Sequence, residues 1–330
     1  MNPMTIPIPT APDSALELMP QDTSDLGGSI LSMVQKAFAE VNPQIIQSAG
    51  ICLCLIAAVM LIAILKQMPG KSMSVVEFAG VLAVAGLLLH QTNSLVNLAS
   101  NTVIELSEYG KMLLPVMTAA LASQGGVTGS AALYTGTAVF DAVLSSAIAK
   151  LLIPLVYIFL TASVVCAATG ENMIQKLRDF IKWLMTWGLK TILYIFTGYM
   201  GLTRVITGTA DEAAVKATKL TMSGMIPVVG GILSDASEAV IIGAGMMKNA
   251  AGVYGMLALI GIWITPFLNI GISYLLLKLS AVVCESFGVK RISGLIKNFS
   301  EAMGLLLGMT AAVCVLLLIS IICFMKGMKA

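Results

Sequence analysis

Charged side chains are scarce in this sequence. Lys, Arg, Asp and Glu together make up 11% of its 330 residues, whereas a soluble domain carries about 25%. The net charge is only +2, so the chain has no excess of basic residues for a nucleic-acid-binding surface. Hydrophobic residues make up 58% of the chain. This composition excludes an ordinary soluble protein and predicts one that crosses a membrane several times.

Residues and motifs that could catalyse a reaction or bind a metal or cofactor are also few. The sequence contains one histidine, His90, and has no C-x-x-C pair, no H-E-x-x-H sequence and no complete P-loop. A Ser–His protease needs its nucleophile and base within reach of each other, and zinc proteolysis or ATP-driven transport needs the motifs that are missing here. The six cysteines lie in or beside apolar runs, where free Cys usually behaves as a small buried hydrophobic residue. We therefore expect no enzymatic activity, no bound metal and no cofactor.

Long apolar runs predict an all-α, polytopic membrane protein with about six transmembrane helices. A crossing requires about 20 apolar residues. The runs of about this length are 45–65, 75–98, 151–168, 184–206, 252–278 and 304–325. Residues 1–28 form a Pro-rich, acidic tail that we expect to be flexible, and 29–44 have the apolar face of a helix lying on the membrane surface. We assign 45–325 to a single transmembrane domain and 326–330 to a second tail.

Basic residues are concentrated in three of the predicted loops, 66–74, 169–182 and 279–303. With six crossings, these loops fall on the same side of the membrane. The positive-inside rule places that side in the cytoplasm. Both chain ends, including the N-terminus, are then expected to lie outside the cytoplasm.

A stretch of small residues interrupts the pattern of crossings at 112–149. Its first apolar run has only eleven residues and is followed by Gly125 and Gly126, and a single acid, Asp141, comes later. Apolar runs of 10 to 14 residues are typical of re-entrant or interfacial segments. We predict a broken or re-entrant helical hairpin here, one that does not fully cross the membrane.

A second broken stretch, 221–249, is the centre of the functional hypothesis. Interrupted backbone at membrane depth is tolerated only against protein or a water-filled cavity, and discontinuous helices are where transport proteins place their sites. The residues that break or charge this stretch are Pro227, Gly230, Gly231, Asp235 and Glu238. Two other interpretations stay open: the acids would cap a helix at the interface, and the glycines would allow close helix packing.

The chain also shows signs of an internal repeat. The sequence Val-Val-Cys followed by glycine occurs at 164–170 and again at 282–288. Each copy runs from an apolar span through a basic amphipathic segment into another span, which predicts parallel repeats at about 112–206 and 207–325. Amphipathic membrane segments of similar composition would look alike without a repeat, so that alternative stays open. Gly304 and Gly308 form a G-x-x-x-G close-packing signal in the last span, and we expect the protein to form a homo-oligomer.

Three runs between residues 195 and 280 resemble a known family. They are GYMGLTRVITGTADE at 198–212, IPVVGGILSDASE at 226–238 and KNAAGVYG at 248–255. The sequence is similar to the stage III sporulation protein AE family of endospore-forming bacteria. Family members usually begin with a signal peptide, and its absence here favours a chain from which that segment has been removed.

The resemblance implies a multi-pass protein of the mother-cell membrane surrounding the forespore. It implies membership of the stage III A complex, which joins the forespore's stage II sporulation protein Q in a channel, or "feeding tube". The expected partners are the lipid bilayer, the other stage III sporulation A proteins and, indirectly, stage II sporulation protein Q. The alternative is a non-conducting membrane scaffold that assembles the other stage III A proteins. Neutralising Asp235 and Glu238 discriminates between the two, because only a conduit should lose flux while the complex persists.

Overall fold

The structure, a computed structural model, describes residues 9–20, 26–66, 73–124, 127–225 and 230–326. From 204 to 248 the description is limited to the backbone. Within the described residues the protein consists of helices and contains no strand. In chain order the helices are α1 (Asp13–Leu16), α2 (Leu26–Lys66), α3 (Met73–Ala122), α4 (Val127–Ala147), a π-helix (Ile148–Leu152), α5 (Ile153–Thr169), α6 (Asn172–Met225), α7 (Gly230–Ser286) and α8 (Lys290–Lys326).

The helices are long compared with a bilayer. With a rise of 1.5 Å per residue, the 50 residues of α3 span about 75 Å, whereas the hydrocarbon core of a bilayer is about 30 Å thick. Five helical stretches of the described residues are long and apolar enough to cross a membrane. They are Gly27–Lys66, Val75–Ala122, Val127–Thr169, Asn249–Ser286 and Lys290–Lys326. The prediction of an all-helical membrane protein is confirmed at this level. The sixth predicted crossing, 184–206, lies in α6 and is not among the five, so the count of six stays a prediction.

Helix α8 forms the centre of the bundle. It packs against α3, α4, α5, α6 and α7, and its buried residues include Phe299, Leu306, Val313 and Phe324. Apolar side chains on the outer helices, such as Leu53 of α2, are exposed instead. This arrangement is expected of a membrane protein, in which lipid solvates the outer apolar surface and the helices satisfy their own backbone hydrogen bonds.

Several predicted segment boundaries are absent because the helices continue through them. Residues 29–44 form the first half of α2, and the short apolar run 112–122 is the end of α3. Polar side chains change the outer face of a helix without breaking its backbone hydrogen bonds, so a change in composition does not end it. The structure does not confirm that the hairpin 112–149 stops inside a membrane, because its two arms belong to α3 and to the helical run 127–169.

Residues 9–20 of the predicted N-terminal tail pack against the bundle. The backbone N–H of Ala11 donates to the Tyr254 hydroxyl over 3.1 Å, and Ala15 is fully buried. A β-carbon added at Gly261 would lie 2.8 Å from the β-carbon of Ala15, so the glycine makes room for this contact. Residues 9–20 thus contact α7 in the structure, and the flexibility expected of 1–28 stays a prediction.

A π-helix joins α4 to α5 immediately before Pro154. Proline has no backbone N–H, and its ring crowds the carbonyl of the residue four positions earlier. Widening the turn over Ile148–Leu152 relieves this crowding and lets the helix continue to Thr169. Residues 127–169 therefore form one helical run with an irregular middle.

Candidate functional site

Three turns between helices meet at one end of the bundle. The Lys66 ammonium lies 2.6 Å from a carboxylate oxygen of Glu77, and the Arg291 guanidinium lies 3.8 Å from the other oxygen. The same Arg291 reaches Gly170, where an added β-carbon would lie 3.1 Å from its Nη2 atom. These contacts bring described parts of the three predicted basic loops together, and the topology that was predicted from those loops stays a prediction. We call this region, around Lys66, Gly170 and Arg291, the basic end.

A groove extends from the basic end between α6, α7 and α8. It has a volume of about 670 Å³. It reaches as far as Gly304, which lies about 21 Å along α8 from its first residue. Its charged lining residues are Lys182, Lys278, Glu285, Lys290, Lys297 and Glu301. We call this the basic groove.

The charges of the basic groove are only partly balanced. The Lys182 ammonium lies 3.0 Å from a Glu301 carboxylate oxygen. The Lys278 ammonium donates to the Tyr274 hydroxyl over 3.0 Å and has no carboxylate partner among the described residues. Lys290 and Lys297 likewise form no ion pair with any part of the chain that the structure describes. The groove therefore carries excess positive charge.

A second cavity of about 440 Å³ lies beside the groove and shares several of its residues. Unlike the groove, this cavity is also lined by Arg178, Asp179 and Arg291. Asp179 pairs with its neighbour Arg178 at 2.8 Å. The positive field at the basic end thus extends from α7 across α8 to α6.

The single histidine lies elsewhere, in a polar cavity of about 290 Å³ between α2, α3 and α7. Gln91 beside it donates to the Ser48 hydroxyl over 3.2 Å. The other polar residues that line this cavity are amides and alcohols. The described residues contain no group of three or more His, Cys, Asp or Glu side chains that could hold a metal ion.

Asp141 is buried between α3 and α4, far from the basic end. Only 2% of its surface is exposed. The Ser107 hydroxyl of α3 donates to its Oδ2 atom over 2.6 Å, and its Oδ1 atom has no hydrogen-bond partner among the described residues. One turn away on the same face, Thr137 donates to the Ser320 hydroxyl of α8 over 2.8 Å. Two buried polar contacts therefore connect α4 to its neighbours in an apolar bundle.

The other predicted site residues are only partly described. Gly125, Gly126 and Pro227 lie outside the described residues. Gly230, Gly231, Asp235 and Glu238 lie in the first three turns of α7, where the description is limited to the backbone. Helix α7 begins at Gly230, so the two acids follow its start rather than forming it. Their predicted role in a cavity or hinge stays a prediction.

Gly304 and Gly308 both face neighbouring helices. An added β-carbon would lie 3.4 Å from the Tyr274 ring at Gly304 and 3.6 Å from Leu189 at Gly308. These are ordinary contact distances, so neither position requires glycine for space. Their predicted packing role stays a prediction.

Closer approaches occur at glycines that the sequence analysis did not single out. The corresponding distances are 2.0 Å at Gly136, facing Tyr199, and 2.4 Å at Gly255, facing Leu113. Three lysines of the groove, Lys182, Lys290 and Lys297, lie in the predicted basic loops, and Lys278 lies at the end of the predicted crossing 252–278; none of them was a predicted site residue. The seven-residue spacing of Lys290 and Lys297 was the sequence signal that could have indicated a site, since it places both on one helix face.

Comparisons with known proteins agree with the resemblance carried by the sequence. The model of the family described as Stage III sporulation protein AE (spore_III_AE) matches residues 17–327. The chain is 23% identical over 202 residues to Stage III sporulation protein AE of Bacillus subtilis (strain 168), a match that covers 61% of this chain. The chain spans about half the length of this curated relative, 51%. No solved structure matches the chain.

Proposed function

The chain belongs to the stage III sporulation protein AE family, and from this premise we propose that it is a membrane channel or transport-apparatus subunit of the sporulation "feeding tube" linking mother cell and forespore. In this proposal it lies in the mother-cell membrane surrounding the forespore, with the basic end in the cytoplasm and its N-terminus in the intermembrane space. It assembles as a homo-oligomer with the other stage III sporulation A proteins and, through them, with stage II sporulation protein Q. The proposal assigns no catalytic step to the chain.

Six crossings, two re-entrant hairpins and a parallel repeat belong to the same proposal. Support for the repeat comes from Gly170 and Gly288, which occupy equivalent positions and both have a φ of 76°. In each copy the next helix begins two residues after the glycine. The two turns thus share the φ of their glycine as well as a sequence pattern.

The observation that carries the transport proposal is the buried Asp141. Burying a carboxylate is costly unless it is paired and hydrogen-bonded, and among the described residues this one accepts a single side-chain hydrogen bond, from Ser107. Ionisable groups inside membrane proteins typically mark ion or substrate pathways. A scaffold needs no such group, because apolar contacts alone would hold α3 against α4.

A second candidate function, a non-conducting scaffold, is favoured by the outer face of α6. The rings of Phe180, Trp183 and Trp187 are all more than half exposed. Successive ring centroids in this series are 5.9 Å apart. Aromatic residues of this kind are enriched at membrane interfaces and in the centres of protein interfaces, so this face suits an assembly role.

The substitution Asp141→Asn tests the transport proposal. An amide keeps an oxygen to accept from Ser107 but cannot carry a charge, so we expect spore yield to fall at least about tenfold while the complex still assembles. Ser107→Ala should lower the free energy of unfolding by about 1–3 kcal/mol, because it removes the one donor to the Asp141 side chain that the described part of the chain provides. Ser146→Ala, at an exposed site on α4, the helix of Asp141, is the matched control. It should change neither the spore yield nor the free energy of unfolding.

The measurements are spore yield, co-purification of the other stage III A proteins, and thermal unfolding of the purified protein. Normal spore yield in the Asp141→Asn strain would contradict the conduit. Loss of co-purification in that strain would favour the scaffold. The paired substitutions Asp235→Asn and Glu238→Gln apply the same test to the start of α7.

A further inference from the structure

We propose that the basic groove binds the phosphate-bearing headgroup of an anionic phospholipid. The groove lies between three helices at the end of the bundle where the basic residues gather. Basic pockets between transmembrane helices on the cytoplasmic side are suited to anionic headgroups. This inference does not depend on conduction, because Asp141 lies outside the groove.

The charge of the groove fits a phosphodiester. Four lysines and two glutamates line it, and Lys182 is the one lysine with a carboxylate partner, Glu301, among the described residues. Lys290 and Lys297 are seven residues apart on α8, which places both side chains on one face of the helix, with about 10 Å between their backbone positions along the axis. A headgroup phosphate between them would receive donors from both sides. Lys278, held by the Tyr274 hydroxyl, faces the same space from α7.

The wall of the groove distinguishes a lipid from a soluble anion. Leu275, Leu279 and Val282 form a stripe on α7, and each is 61–63% exposed. Val282 itself lines the groove, so the stripe begins beside the lysines. The stripe belongs to a helical stretch long and apolar enough to cross a membrane. An acyl chain can lie along it while the headgroup stays among the lysines.

Binding is tested with the full chain purified in a neutral detergent. The probe is fluorescent phosphatidylglycerol at low concentration in the micelles, compared with fluorescent phosphatidylcholine, and the readout is fluorescence anisotropy. We expect phosphatidylglycerol to bind at least about tenfold more tightly than phosphatidylcholine, since each Lys near an anionic phosphate adds several-fold to affinity. Equal binding of the two lipids would overturn the proposal.

Paired variants test whether lipid binding depends on the lysines of the groove or on the overall positive charge of the protein. Lys290→Gln with Lys297→Gln should weaken phosphatidylglycerol binding about tenfold, and Lys290→Arg with Lys297→Arg should restore most of it. The matched control is Lys36→Gln with Lys150→Gln, which removes two exposed lysines that line neither cavity at the basic end. Equal weakening by both glutamine pairs would overturn the proposal, because it would indicate unspecific attraction.

Competition with soluble phosphate compounds tests whether the groove binds a lipid headgroup or a free anion. Glycerol 3-phosphate or inorganic phosphate at millimolar concentration should leave bound phosphatidylglycerol in place. Leu275→Ser with Leu279→Ser should weaken lipid binding several-fold. Displacement by soluble phosphate at millimolar concentration, or no effect of the serine pair, would assign the groove to a soluble anion instead.

Discussion

Gly136 determines how closely α4 can approach α6. The ring of Tyr199 lies over it, and the Tyr199 hydroxyl donates to the Ala132 carbonyl over 3.1 Å. The same ring contacts Phe140, with a centroid distance of 5.8 Å. The missing side chain at Gly136 thus allows α6 to lie against the backbone of α4, close to the buried Asp141.

We expect Gly136→Ala to destabilise the protein by about 1–3 kcal/mol, because an overpacked site forces its neighbours to move. A β-carbon would lie 2.0 Å from the Tyr199 ring. Gly198→Ala is the control, since nothing lies within 4 Å of its β-carbon and alanine favours helix by up to about 1 kcal/mol. Thermal unfolding in detergent measures the stability of both variants. Equal unfolding temperatures would contradict the packing argument.

At the residue scale, the sequence predicted which groups are unusual but not what they contact. Asp141 stands out because it is the only acid between Glu108 and Glu171. Its donor, Ser107, is one of many serines and lies 34 positions earlier in the chain. Likewise, the G-x-x-x-G spacing singles out Gly304, whereas nothing in the spacing of Gly136 indicates its close contact with Tyr199. The identity of the facing side chain depends on how two distant helices pack.

At the scale of elements, the turns after α5 and α7 each contain a glycine in the left-handed conformation, while the hydrogen bonds that close the two turns differ. Gly170 and Gly288 both have a φ of 76°, in the left-handed region that residues with a side chain adopt only at a cost. The backbone N–H of Gly170 donates to the Cys166 carbonyl over 2.8 Å, which closes the last turn of α5.

Alanine at either glycine should destabilise the protein by about 1–2 kcal/mol because of this backbone conformation. Gly170→Ala should cost more than Gly288→Ala, since Arg291 approaches only Gly170 and nothing lies within 4 Å of Gly288. Thermal unfolding of the two variants measures the difference. An unfolding temperature unchanged in both would show that the turns tolerate side chains.

The extent of the helices was harder to predict from the sequence than their existence. Apolar runs indicated that helices long and apolar enough to cross a membrane exist, because the transfer of apolar residues into lipid dominates that choice. The predicted boundary between 29–44 and 45–65 is absent, because α2 continues from Leu26 to Lys66. Backbone hydrogen bonds continue through this region, so composition alone marks changes of environment and not ends of helices.

At the scale of the whole molecule, the basic residues predict its orientation. Lys66, Gly170 and Arg291 meet at one end, and the positive-inside rule places that end in the cytoplasm. The exposed residue Glu171 lies at the basic end, and the exposed Lys111 lies near the opposite end of α3.

Cysteine labelling in intact cells tests this orientation. A membrane-impermeant thiol reagent should label a Lys111→Cys variant above the level of the wild-type chain and leave a Glu171→Cys variant at that level. After the cells are lysed, both variants should be labelled. The reverse pattern in intact cells would place the basic end outside the cytoplasm.

The unbroken length of the helices has a mechanical consequence. A stiff rod of about 75 Å, such as α3, acts as a lever that is more than twice as long as the bilayer core is thick. A tilt of about 5° at the basic end would displace the far end of such a rod by about 6–7 Å, roughly one helical turn. Small rocking motions within the membrane would thus become ångström-scale strokes in the aqueous space beyond it.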